Sequence, residues 1–168
     1  MDAETIKEAL LNVRVPGRSE LVDNKKGLTI MIDYAHSPES LQSILSAVKS
    51  YTRGKVISVF GCGGDRDKTK RPIMGQISTN IADFTIITSD NPRTEDPDTI
   101  VNEIEVGAKK AKGKYIKIVN RTEAIKYAIN MASKNDIIVL AGKGHETYQE
   151  INGVKHHYDE REIIKEVI

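Results

Sequence analysis

Val56-Ile57-Ser58-Val59-Phe60-Gly61-Cys62-Gly63-Gly64-Asp65-Arg66-Asp67-Lys68 is an apolar run that stops at a glycine-rich, charged loop. The same punctuation recurs along the chain. Leu28–Ile32 stops at Asp33-Tyr34-Ala35-His36-Ser37-Pro38, and Phe84–Thr88 at Ser89-Asp90-Asn91-Pro92-Arg93. Ile137–Ala141 stops at Gly142-Lys143-Gly144-His145-Glu146, and Tyr115–Val119 at the blander Asn120-Arg121-Thr122. Each run has the length of a strand, and helix-length segments separate them. That alternation describes an α/β domain with a mostly parallel sheet covered by helices on both faces. Ligands of such a sheet bind beyond the carboxyl ends of its strands, so the four polar loops mark one candidate site.

Helices are expected over Asp2–Val13, with Ile6, Ala9 and Leu10 on one face, and from Ser37-Pro38-Glu39 onward, with Leu41, Ile44, Leu45 and Val48 as the buried stripe. Ser37 suits an N-cap and Pro38 the first helical position. Further helices are expected from Ile73 to Ala82, from Asp98 to Lys110, from a Thr122 cap to Met131 or Ala132, and from Asp159 onward. Glu20–Asn24 and Leu28–Ile32 flank Lys25-Lys26-Gly27, which predicts an antiparallel first strand, and Asn152-Gly153 predicts a small hairpin.

Composition excludes several classes. The 25 basic and 24 acidic residues leave a formal charge of +1, against the clustered basic surface that nucleic acid requires. A single Cys among 168 residues cannot form an internal disulfide, which points to the cytoplasm. Neither a signal peptide nor an apolar run near the ~20 residues of a membrane span is visible. With no Trp and two Phe, the core must be aliphatic.

The loops carry the chemistry. Asp65 to Arg71 holds four cations and two anions beside glycines that admit a ligand to the backbone, which suits a carboxylate or phosphate. Arg66 stands where a dinucleotide fingerprint needs its third glycine, and Lys143 is followed by Gly144 rather than Ser or Thr, so neither a dinucleotide motif nor a Walker A is present. The Arg93 guanidinium is a planar fork for a carboxylate, the Asn91 amide can donate and accept, and Glu146 can accept from an ammonium. Together they suit a zwitterionic amino acid. His36, Cys62 and His145 lack the paired spacing of a metal site, and no metal is expected here. Cys62 reads as a small loop filler and His156-His157 as a surface strand pair.

Val15-Pro16-Gly17-Arg18, Asp33-Tyr34-Ala35-His36-Ser37-Pro38, the Gly61–Lys68 loop, Lys70-Arg71-Pro72, Asp90-Asn91-Pro92-Arg93 and Gly142-Lys143-Gly144-His145-Glu146 occur in this order and at similar spacing in the Mur ligases. The chain resembles the carboxyl-terminal domain of that family in its meso-diaminopimelate-adding form. The resemblance implies a three-layer, Rossmann-like fold: a mostly parallel six-stranded sheet with one antiparallel strand, formed by residues 15–168 after a residual linker helix at 1–14. It implies that Arg66, Asp90, Asn91, Arg93, Gly142 and Glu146 bind meso-diaminopimelate, and that Arg18, Asp33 and His36 face the nucleotide and the interdomain cleft. Thr147 stands where many relatives carry Asp.

The implied activity is an ATP-dependent amide ligation of cytoplasmic peptidoglycan synthesis. Its partners are meso-diaminopimelate and a UDP-N-acetylmuramoyl dipeptide held by the rest of a monomeric enzyme, with neither nucleic acid nor membrane. ATP and Mg2+ would be bound mainly by a central P-loop domain that these residues lack, so the chain alone is expected to be inactive. The alternatives are a lysine-adding or other Mur ligase domain, a self-standing Rossmann-like nucleotide-binding domain, and a scaffold domain. The last leaves four charged loops at one edge without a purpose.

Overall fold

The computed structural model describes residues 2, 4, 5, 7 and 15–168. The helix expected over Asp2–Val13, with its Ile6, Ala9 and Leu10 face, falls largely outside the described residues.

The main sheet has six strands: β1 (Glu20–Leu21), β2 (Thr29–Asp33), β3 (Val56–Phe60), β4 (Phe84–Ile87), β5 (Lys114–Lys117) and β6 (Ile137–Ala141). Their spatial order is β1-β2-β6-β3-β4-β5, parallel throughout except for β1, which pairs antiparallel with β2. Thr29 pairs with Ile137 and Val56 pairs with Ile137 on its other side, so β6 lies between β2 and β3 as one of the two central strands. The helices are α1 (Pro38–Tyr51), α2 (Lys70–Ile81), α3 (Pro97–Ala108), α4 (Arg121–Met131) and α5 (Glu160–Val167). A separate antiparallel hairpin, β7 (Tyr148–Ile151) and β8 (Val154–His157), lies between β6 and α5.

Strand alternation divides the core in two. Met31, Val56, Phe60, Ile87, Val139 and Ala141 pack with Leu41, Leu45 and Val48 of α1, Met74 of α2 and Ile100, Val101 and Ile104 of α3. Ile30, Ile32, Ile57, Val59, Ile86, Ile138 and Leu140 face α4 and α5 through Ile125, Ala128, Ile129 and Ile164. β3 and β6 are buried on both sides, which is why both read as unbroken apolar runs. α2 and α3 touch backbone to backbone: a Cβ on Gly107 would overlap the Pro72 carbonyl, and one on Gly75 the Ile104 carbonyl. Among the described residues no helix is long and apolar enough to cross a membrane.

Several boundaries differ from the expectations, each for a local reason. Ser37 caps α1 in a reciprocal capping box with Ser40, as its position before Pro38 predicts. α4 begins at Arg121 with Asn120, not Thr122, as its cap: the Asn120 side chain accepts from the Glu123 amide, as a preferred cap residue does. α2 starts at Lys70, ahead of the expected Ile73, because Pro72 sits in the first turn, where no backbone donor is required. β1 is shorter than Glu20–Asn24 because the Asn24 side chain replaces the ladder, donating to the Val22 and Leu28 carbonyls and accepting from the Leu28 amide. β5 ends two residues before Val119.

Candidate functional site

A cleft of about 320 Å³ opens at the carboxyl ends of the parallel strands. Four loops line it: Tyr34 and His36 after β2, Gly61 to Gly63 with Arg66, Asp67 and Lys70 after β3, Asp90, Asn91 and Arg93 after β4, and Gly142 and Glu146 after β6. Arg66, Lys70 and Arg93 face Asp67, Asp90 and Glu146 around it. Three cations against three anions suit a ligand that carries both signs rather than a polyanion.

The wall after β4 is built on an unusual backbone. Arg93 has φ 53°, a left-handed conformation that a side-chain-bearing residue adopts only when its surroundings hold it there. The hairpin supplies that hold. The Arg93 amide donates to the Glu150 carbonyl at 3.0 Å, and the Asn152 amide donates to the Arg93 carbonyl at 2.7 Å. Gln149 Nε2 donates to the Asp90 carbonyl at 2.7 Å, and the Glu150 amide donates to Asn91 Oδ1 at 3.0 Å. The Arg93 guanidinium donates from Nη1 to the Gly64 carbonyl at 2.8 Å, and its Nε lies 3.4 Å from Glu150 Oε2. A Cβ on Gly63 would come within 2.8 Å of Nη1, so the glycine makes room for the guanidinium.

Asn91 Nδ2 donates to Glu146 Oε2 at 2.9 Å. Its Oδ1 already accepts from the Glu150 amide, so toward the cleft Asn91 acts as a donor. Lys143 Nζ, wholly buried, also donates to Asn91 Oδ1 at 3.1 Å and lies 3.3 Å from Glu146 Oε2.

The wall after β3 is held by charge. Glu95 receives Arg71 from Nη1 and Nη2 at 3.0 and 2.9 Å, pairs with Lys68 at 3.0 Å, and accepts the Asp65 amide at 2.6 Å. Arg71, and after it Lys68, hold the Glu95 carboxyl well below the usual carboxylate range. Arg71 also donates to Glu103 and to the Gly63 carbonyl. It is 0 % exposed, which corrects its reading as one of four cations presented to a ligand: two carboxylates and a carbonyl occupy it. Arg66 is exposed at the mouth of the cleft and donates to the Asp65 carbonyl.

Seven of the nine candidate residues line the cleft, namely His36, Arg66, Asp90, Asn91, Arg93, Gly142 and Glu146. Arg18 and Asp33 lie beside it. The Arg18 guanidinium sits 5.0 Å from the Tyr34 ring centroid. The Asp33 carboxylate is turned inward and accepts from the Ser19 amide at 2.7 Å and the Ala35 amide at 2.8 Å. Cys62 is buried near Met74, and burial pushes its thiol up to about 12, which disfavours the thiolate that a nucleophile needs. His156 and His157 lie on the exposed β8.

The loop after β5 is less bland than its sequence. Arg121 is almost wholly buried, pairs with Glu160 at 2.8 Å, and donates to the Ala141 and Ser89 carbonyls at 2.9 and 3.3 Å. Burial opposes its charge, but Glu160 and then Asp90 outweigh that and keep it protonated. Arg121 thus joins the ends of β4 and β6 behind the cleft. Arginine directly after a strand run is a faint signal for such a brace, because strand ends leave carbonyls to be satisfied.

The glutamate ligase domain model of the Mur ligases matches residues 17–144. A UDP-N-acetylmuramoyl-L-alanyl-D-glutamate–2,6-diaminopimelate ligase of Clostridium perfringens (strain 13 / Type A) is 52% identical over 167 residues, which are 98% of this chain and 34% of that protein. The ligase of the same name from Clostridioides difficile (strain 630) is 50% identical over 163 residues, 96% of this chain and 34% of that protein. A solved structure of an enzyme of this name superposes with a TM-score of 0.84 at 42% identity, covering 93% of this chain and 32% of that one. The chain spans about a third of the length of the curated relatives it matches.

Proposed function

This chain belongs to the Mur ligase family through its glutamate ligase domain, and from that premise we propose that it is the amino-acid-binding domain of an ATP-dependent ligase that adds meso-diaminopimelate to a UDP-N-acetylmuramoyl dipeptide. Residues 15–168 carry that role, and residues 1–14 link to the preceding part of the enzyme. The observation that carries the reading is the balanced cleft: Arg93 and the donor face of Asn91 for a carboxylate, Glu146 for an ammonium, and Arg66 at the mouth for a second carboxylate. Lysine offers no second carboxylate, so the arginines favour diaminopimelate over it.

In the full enzyme the γ-carboxylate of the dipeptide is activated as an acyl phosphate, and the amine of the bound amino acid attacks it with loss of phosphate. This domain's part is positional. It holds the amino acid with its reacting amine directed out of the cleft, and it closes on its neighbour, which supplies proximity and excludes water. Among the described residues no group of three or more His, Cys, Asp or Glu side chains is gathered to hold a metal ion. Mg2+ and the ATP phosphates are assigned mainly to a central P-loop domain, as the family membership implies. Exposed Arg18 and His36, with Asp33 preset by two backbone amides, suit the ribose and phosphate edge of ATP. The enzyme acts in the cytoplasm as a monomer.

The test is phosphate release by the full-length ligase, with ATP, the UDP-linked dipeptide and either meso-diaminopimelate or L-lysine. Release dependent on diaminopimelate, and much weaker with lysine, is expected. Equal use of the two amino acids contradicts the selectivity, and release without either contradicts the function. The 168-residue chain alone should match a protein-free blank.

A further inference from the structure

Lys143 sits between two cleft-lining residues, Gly142 and Glu146, yet it is wholly buried. An ammonium removed from water must be paired to be tolerated. Its partners are Asn91 Oδ1 at 3.1 Å and Glu146 Oε2 at 3.3 Å, and its Nζ lies 5.7 Å from the ring centroids of both Tyr148 and Tyr158. Asn91 Nδ2 closes the triangle on the same Glu146 oxygen. Lys143 and the Glu150 amide together occupy Asn91 Oδ1, so the amide cannot turn its oxygen to the cleft without stranding two donors.

Taking the proposed function as its basis, we infer that Lys143 is a positioning residue for amino-acid recognition. It fixes Asn91 as a donor and anchors one oxygen of Glu146, leaving the other as the acceptor for an ammonium. The cleft thereby offers a carboxylate-binding end and an ammonium-binding end in fixed places, and the substrate's direction follows. Lys143 touches no ligand itself; it acts through Asn91 and Glu146. A lysine that merely filled space would affect every substrate through stability, whereas a positioning lysine affects the amino acid alone.

The experiment uses the full-length ligase. Lys143→Met keeps an apolar stem of similar length and removes the charge, and Lys143→Gln retains a donor. KM for meso-diaminopimelate should rise by about 30-fold in Lys143→Met, the scale of a lost charged hydrogen bond, and less in Lys143→Gln. KM for ATP should stay within about threefold of wild type, since no ATP contact is altered. In a Glu146→Gln background, Lys143→Met should add clearly less than in wild type, because only its tie to Asn91 remains. A parallel rise in KM for ATP, or the same loss in both backgrounds, overturns the inference. Should Lys143→Met fail to unfold cooperatively, Lys143→Gln is judged by the same two comparisons. A wild-type enzyme that makes no use of diaminopimelate contradicts the proposed function, whereas an active wild type and an unaltered Lys143→Met contradict this inference alone.

Discussion

The two walls of the cleft are held by different forces. The loop after β3 is tied by charge: Arg71 and Lys68 converge on Glu95, and Glu95 in turn holds the Asp65 amide. The loop after β4 is tied mainly by neutral hydrogen bonds to β7, which hold Arg93 in its left-handed backbone, and by the buried Lys143 behind it. The ionic wall weakens when one charge is removed or titrated. Most ties of the other wall are backbone and amide hydrogen bonds, which carry no titratable group, and this suits the side chain proposed to select the substrate. Gly64 joins them: its amide donates to the Asn91 carbonyl, and its own carbonyl receives the Arg93 guanidinium.

Removing Arg93, the proposed selector, should have the largest effect. In the full-length ligase, Arg93→Ala should lower selectivity for meso-diaminopimelate over lysine by roughly 30- to 1000-fold, about 2–4 kcal/mol, for a lost charge-assisted pair. The ratio of kcat/KM for the two amino acids reads it, and an unchanged ratio removes Arg93 from that role. Gly64→Ala attacks the join. Its Cβ would overlap the Pro92 carbonyl oxygen, and overpacking of this kind should cost about 3 kcal/mol, or roughly 6–12 °C in Tm.

Glu95→Gln attacks the ionic wall alone and should cost about 2 kcal/mol at pH 7, a drop of roughly 4–8 °C, reduced from a fully buried pair by its residual exposure. The sign with pH is set by its depressed pKa. Its contribution is complete above the ordinary glutamate value of 4.5 and drains as pH falls from there toward the native value. Wild type and Glu95→Gln should therefore converge in Tm as pH is lowered toward 3, and a constant gap would assign the tie to something other than charge. The smallest effect is expected at His157, whose exposed pair with Glu162 is open to solvent. His157→Ala should leave Tm unchanged at neutral pH, because surface pairs of this kind contribute little.

The sheet was legible in the sequence where burial is complete. Val56–Phe60 and Ile137–Ala141 are apolar throughout and form strands with those bounds. The convergence of Arg66, Asn91, Arg93, Gly142 and Glu146 was legible too, because strand-end loops of a parallel sheet meet at one edge. What lay hidden was the layer behind them. Nothing in the sequence marks Arg71, Arg121 and Lys143 as buried, because the partners that bury them are far away in sequence, such as Glu160 for Arg121 and Asn91 for Lys143. Asp33 was legible as a strand-end acid, but the direction of its carboxylate depends on Ser19 across the β1–β2 pair, which no periodicity encodes.

The central claim is that this cleft holds the amino acid between Arg93 and Glu146. A crystal structure of the full-length ligase with meso-diaminopimelate tests it most directly. The account predicts one carboxylate on the Arg93 guanidinium and the Asn91 amide nitrogen, an ammonium on Glu146, and Lys143 still buried behind them. An amino acid bound with its ends reversed, or seated away from the loops after β4 and β6, would contradict it.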